Sequence, residues 1–160
     1  MEKIRPLDPP AGLSRLFFRL PIYLYWLHLG WLLGGRFLLV NHIGRKSGQL
    51  RQVVIEVVEH DPAADTYTVA AGFGRKSDWY LNLLKTPDVT IQVGRRTLAV
   101  TAVPLTPDVG GETMVRYARR HETAARNLAR FMGYQVDGTE ADYRALGREL
   151  PFMQFRPRRS

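Results

Sequence analysis

Between Gly44 and Gln52 the chain reads GRKSGQLRQ, with three long cations, a hydroxyl and two glutamines set around two glycines. Residues of these types at one bend suit the binding of oxyanions. Glycine permits positive φ and close backbone approach, so main-chain N–H groups at Gly48 and its neighbours can surround anionic oxygens together with Ser47 and Gln49. Arg45, Lys46 and Arg51 add charge-assisted donors, and a planar guanidinium matches phosphate in two-point geometry. The G-x-x-x-x-G-K-[ST] spacing of a P-loop is absent, and strand-like sequence flanks the bend on both sides. On its own the motif also reads as a solvated basic hairpin tip.

A second stretch, VAAGFGRKSDWYLNLL, supplies a complementary surface. Small residues at a strand end, Ala70, Ala71 and Gly72, let a flat ring lie against the backbone. Trp79 or Tyr80 can wall the edge of such a ring while Asn82 hydrogen-bonds to it, with plain core packing as the competing fate of the two aromatics. Other chemistries find little support. The histidines, His28, His42, His60 and His121, form no H-x-x-x-H pair, so no metal site is expected. His42, just before the basic turn, reads as a structural imidazole. There is no cysteine and no G-x-S-x-G elbow, and no side chain is assigned a catalytic role. Hydride transfer is compatible with that absence, because a reduced cofactor ring carries the chemistry.

These two stretches must be positioned by the surrounding elements. RFLLVNHI (36–43), RQVVIEVVEHD (51–61) and TYTVAAGF (66–73) are rich in β-branched residues and read as strands, with DPAAD as a turn. SDWYLNLLKTPD reads as a short helix with Ser77 or Asp78 as N-cap, ending before Pro87. VTIQVGRRTLAVTAVPL reads as a hairpin about Gly94–Arg95. A helix is expected from near Glu112, broken around His121–Thr123; a shorter one spans 139–150, and PFMQFRPR forms a last strand. Consecutive strands without βαβ alternation lead to an α+β fold, a mostly antiparallel barrel of about six strands with helices outside it.

The 160 residues fit one domain, 1–160, with an apolar helical segment at 13–34 and a barrel at 36–158. The apolar segment falls short of the roughly 20 residues of a membrane span and is interrupted by Pro21. It lacks a small-residue cleavage site, so it does not read as a signal peptide. It reads as a helix laying Leu20, Leu24, Leu27 and Trp31 on the core, or as an interfacial helix with Trp26, Trp31 and Arg19 near lipid headgroups. The net charge of +8 favours anionic partners, and residues 1–51 hold eight Lys or Arg against two acids. Arg116, Arg119, Arg120, Arg126 and Arg130, at helical spacing, read as a solvated helix face. The tryptophans and tyrosines sit in apolar contexts, which argues against nucleic acid as partner. Without cysteine, the cytoplasm is the default location, with peripheral membrane contact as a second reading.

Together the two stretches resemble the deazaflavin-dependent nitroreductase and quinone reductase family, split β-barrel proteins related to FMN-binding barrels. The resemblance rests on GRKSGQ after an apolar strand, AAG with a glycine loop, WYLNL and then P-x-V-x-[IV]-x-V-G, and runs from about Phe37 to Arg158. It implies coenzyme F420, with FMN as the alternative. The coenzyme phosphate and acidic tail would be held by Arg45, Lys46, Ser47 and Arg51, with Gly48 and Gln49 in the same turn. Gln52, Val53 and Val54 would run along the ring. Ala70, Ala71 and Gly72 would face the deazaflavin, and Trp79, Tyr80 and Asn82 would hold its polar portion. Glu56, Phe73 and Tyr117 would line the pocket of a quinone-like hydride acceptor, Glu56 standing where an aromatic is expected. The resemblance is compatible with a monomer or a homodimer.

Overall fold

Barrel closure follows from the alternation in the strands. In the computed structural model, which describes residues 2–3, 35–71 and 76–158, these are β1 (Glu2–Lys3), β2 (Phe37–Ile43), β3 (Leu50–Asp61), β4 (Thr66–Ala70), β5 (Asp88–Val93), β6 (Arg96–Pro104), β7 (Tyr134–Gln135) and β8 (Phe152–Pro157). The closed barrel runs β2-β3-β4-β8-β6-β5, with β5 returning to β2 through pairs such as Val40↔Ile91. All of its pairings are antiparallel. This is the six-stranded α+β barrel expected from the sequence. β1 pairs with β7 in a separate ribbon. The 13–34 segment, Gly72 and Phe73 lie outside the described residues.

One side-chain set from each strand fills the barrel. Leu38, Val40, Val69, Ile91, Val100, Met153 and Phe155 are buried there, and Trp79, Tyr80 and Leu83 from helix α1 (Asp78–Lys85) join the same core. The opposite set cannot face water where it is apolar, so helices cover it. Val58, Ala70 and Phe152 pack under α2 (Pro107–Arg120), α3 (Glu122–Phe131) and α4 (Glu140–Glu149), against Met114, Tyr117, Ala125, Tyr143 and Leu146.

Helix α2 begins five residues before the expected Glu112. Thr106 caps it, its side chain accepting from the Val109 amide, and Pro107 sits at the first helical position, where its missing N–H costs nothing. The Gly110–Gly111 pair argues against helix in the sequence, but here it serves close packing. A Cβ on Gly110 would lie 2.7 Å from the Gly147 carbonyl oxygen, and one on Gly147 would lie 2.7 Å from the Met114 Cβ and 2.8 Å from the Gly111 Cα. The backbones of α2 and α4 therefore touch. The break at His121 falls where expected.

Gly147→Ala is expected to force α2 and α4 apart and to lower stability by about 1–3 kcal/mol, the usual cost of overpacking. Thermal unfolding would show this as a drop of several degrees in Tm; an unchanged Tm would mean that the crossing is loose.

Candidate functional site

The Gly44–Arg51 turn joins β2 to β3 and is shaped by its own backbone. The Gly44 amide donates to the Gln49 carbonyl at 2.8 Å, the Gly48 amide to the Gly44 carbonyl at 2.9 Å, and the Gln49 amide to Ser47 Oγ at 3.2 Å. Gly48 has φ +71°, which suits glycine. A Cβ at Gly44 would lie 2.5 Å from Ser47 Oγ, so a larger residue there would turn the Ser47 hydroxyl away from its place in the bend. Ser47 Oγ accepts one bond and keeps its O–H to donate outward. Among the described residues the amides of Lys46 and Ser47 have no partner, and neither Lys46 nor Arg51 makes an ion pair. Residues 46–51 are exposed. The bend thus offers two N–H groups, one hydroxyl and two cations to an anion.

Arg45 is turned the other way. Its amide and its Nη1 both donate to Asn82 Oδ1, at 3.0 and 2.9 Å, and its guanidinium reaches Asp78 Oδ1 at 3.2 Å. Lys85 Nζ donates to the Arg45 carbonyl at 2.8 Å. Helix α1 therefore grips the turn through Arg45. Two donors converge on one atom of the Asn82 amide, so that atom must be the oxygen, and Nδ2 must be the group 2.9 Å from His42 Nδ1. His42 Nδ1 then has to accept, which makes His42 neutral with its proton on Nε2. Burial, helped by the charge of Arg51 and opposed by that of Asp78, lowers the His42 pKa to about 4.

The other expected site residues fall in distinct surroundings. Gln52 Nε2 donates to Asn41 Oδ1 at 2.9 Å, and Asn41 Nδ2 to Thr90 Oγ1 at 3.0 Å, a side-chain ladder across β3, β2 and β5. Val53 packs into the barrel, so by strand alternation Val54 and Glu56 look outward. Ala70 belongs to the core under the helices and Ala71 to the core of the barrel, so their side chains do not share one face. Trp79 and Tyr80 are buried in the barrel core, edge to face at 6.1 Å, and Asn82 is only 3% exposed. Of the three, Asn82 is the one that bonds to the turn, through Arg45. Ser77 stands at the α1 N-cap position but makes no capping bond.

Two of the three expected acceptor residues meet at a cavity of about 560 Å³ on the outer side of β3. Glu56 forms part of its wall, and Tyr117 from α2 donates its hydroxyl to Glu56 Oε1 at 3.2 Å. Burial first, and then the Glu56 carboxylate, push the Tyr117 pKa up to about 12, so the phenol stays neutral. Gly35 and Arg36 line the cavity beside Arg120, His121 and Ala124. A register shift between Val57 and Glu59 adds one residue to β3. That bulge lets Glu56 and Glu59, three apart, both address α2: Glu59 binds Arg116 at 2.9 Å and Arg120 at 3.1 Å. The arginines expected to form a solvated helix face are thus largely paired, with Arg119 on Glu140 and Arg126 on Glu122 as well. Sequence reasoning treated His42 as structural and missed its link to Asn82, because no local signal ties residues 40 positions apart.

Among the described residues no group of side chains is arranged to hold a metal ion, and no helix is long and apolar enough to cross a membrane.

Comparison with known proteins bears on this arrangement. A curated F420H2-dependent quinone reductase of Mycobacterium tuberculosis is 33% identical over 102 residues, covering 61% of this chain and 63% of the relative. The aligned part thus spans less than two thirds of that relative. In fold the chain is similar to an F420-H2 dependent reductase (TM-score 0.52, 22% identity, 75% of this chain and 93% of the other). It is also similar to a pyridoxamine 5′-phosphate oxidase-related, FMN-binding protein of Nostoc punctiforme (TM-score 0.52, 11% identity, 94% and 81%). The F420H(2)-dependent quinone reductase family model matches residues 28–142, a stretch that holds the basic turn, α1 and the Glu56 and Tyr117 that meet at the cavity, and the chain belongs to that family.

Proposed function

We propose that the protein is an F420H2-dependent oxidoreductase that reduces a quinone-type acceptor, with the coenzyme on the turn and β3 and the acceptor in the cavity beside Tyr117. The observation that carries this reading is the donor set of the turn: two open amides, the Ser47 hydroxyl, Lys46 and Arg51, with no acid among them. That set fits a phosphodiester followed by a run of carboxylates, which F420 carries. Bound reduced deazaflavin supplies a hydride, which is why the site needs no nucleophile or metal.

The chain's own residues bind and orient. Lys46 and Arg51 neutralise the phosphate and the acidic tail, and the Lys46 and Ser47 amides fix the phosphate oxygens. Arg45 anchors the turn to α1, and Asn82 acts through it. From the turn, the outward residues of β3 lead past Gln52 and Val54 to Glu56, so a ring lying along this strand would end beside the cavity. There the Tyr117 hydroxyl, neutral at physiological pH, gives its one proton to Glu56; an acceptor oxygen would take that O–H in exchange, leaving the Glu56 carboxylate to Arg36. Gly35 and Arg36 sit at the same cavity.

Fluorescence titration should show F420 binding in preference to FMN. Lys46→Glu should weaken F420 by more than about 1.5 kcal/mol, roughly tenfold, as for loss of a hydrogen bond to a charged group. Equal or tighter binding of FMN would refute the coenzyme assignment.

Tyr117→Phe should leave the F420 dissociation constant unchanged while lowering kcat/KM for a menaquinone analogue about tenfold, consistent with about 1.4 kcal/mol for one hydrogen bond made in the transition state. Unaltered quinone turnover would remove the acceptor from this cavity.

A further inference from the structure

We propose that Asn82 and His42 are positioning residues for the coenzyme: the Asn82 amide holds the phosphate turn in its binding shape, and a neutral His42 holds that amide in the required orientation. The inference rests on the coenzyme assignment above and adds a buried pair that shapes the turn from beneath.

The geometry is a relay from α1 through β2 to the turn. The Arg45 amide and guanidinium both need an acceptor, and Asn82 Oδ1 serves both. If the amide turned over, its NH2 would face these two donors, and the turn would lose its attachment at Arg45 N. His42 Nδ1 prevents this by accepting from Nδ2 at 2.9 Å. Both residues are buried, His42 5% and Asn82 3% exposed, so water is a poor substitute for either partner. The Lys46 and Ser47 amides follow Arg45 directly in the chain, so their direction depends on where the Arg45 peptide is fixed.

The charges around His42 come from three elements. Arg51 on β3 is its cross-strand partner, Asp78 and Lys85 lie on α1, and Arg45 lies in the turn. Arg51 opposes protonation, while Asp78 favours it more weakly. A protonated ring would also present a donor to the Asn82 NH2, which cannot accept it.

Asn82→Asp tests the relay directly. A carboxylate still accepts from Arg45, but it places an anionic acceptor against His42 Nδ1. The sign of the His42 titration should therefore invert. In the wild type the folded pKa lies below the unfolded value of about 6.5, so His42 adds stability above 6.5 that is lost as pH falls toward 4. In Asn82→Asp the folded pKa should lie above 6.5, so the contribution is present below 6.5 and is lost as pH rises through the new value. The difference between the two denaturation midpoints, followed from pH 5 to 8, should change sign or slope accordingly.

Ring nitrogen NMR of the wild-type protein at pH 7 should show the Nε2–H tautomer of His42, titrating well below 6.5. F420 titration should give Asn82→Asp a dissociation constant within about threefold of wild type, and Asn82→Leu one raised at least tenfold. An Nδ1–H tautomer, or an Asn82→Leu protein that binds F420 as tightly as wild type, would overturn the inference. Should Asn82→Leu fail to fold, the tautomer and the Asn82→Asp titration still decide. Failure of the wild type to bind F420 would instead count against the coenzyme assignment, with the His42 tautomer unaffected.

Discussion

Closure of six strands into a barrel divides their side chains into two sets, and the rest of the molecule follows from that division. The inner set is apolar and packs on itself, with Trp79, Tyr80 and Leu83 of α1 completing the core. The outer set must be covered or functional. Where it is apolar, as at Val58, Ala70 and Phe152, helices α2 to α4 cover it. Where it is polar, as at Gln52 and Glu56, it forms a track from the basic turn to the cavity. No edge remains in the barrel to recruit another strand.

Departures from regularity mark the places of functional interest. The bulge after Val57 breaks strict alternation, so Glu56 and Glu59 both face α2, one holding Tyr117 and the other holding two arginines. In the turn the Gly44 and Gly48 amides bond within the bend, while those of Lys46 and Ser47 stay open. Helix α1 is short, yet it ties barrel core to turn: one face carries Trp79 and Leu83, and the other carries Asp78, Asn82 and Lys85, all in contact with Arg45.

Much of this was legible in the sequence because it is local. Period-two runs gave the strands, Gly94–Arg95 gave the hairpin, and GRKSGQLRQ stood out by the density of its donors. The start of α2 was not legible, because Gly110 and Gly111 weaken helix propensity and only the contact with Gly147 explains them. The packing of Trp79, Tyr80 and Asn82 was not legible for a similar reason. Their types suit ligand contact, but in a closed barrel that side of α1 faces the core and the Arg45 peptide. Ala70 and Ala71, which the resemblance implies face the deazaflavin, send their side chains into different cores by strand alternation. The pairing of Glu56 with Tyr117 depends on packing between residues 61 apart, which no spacing rule reaches.

On the proposed reading, the open amides of the turn hold the coenzyme's phosphate. Amide NMR during titration with F420 tests it most directly. The Lys46 and Ser47 N–H signals should move most, with smaller changes along Gln52 to Glu56, while the internally bonded Gly44 and Gly48 amides move little. Changes confined to another part of the surface, with Lys46 and Ser47 unmoved at saturation, would contradict it.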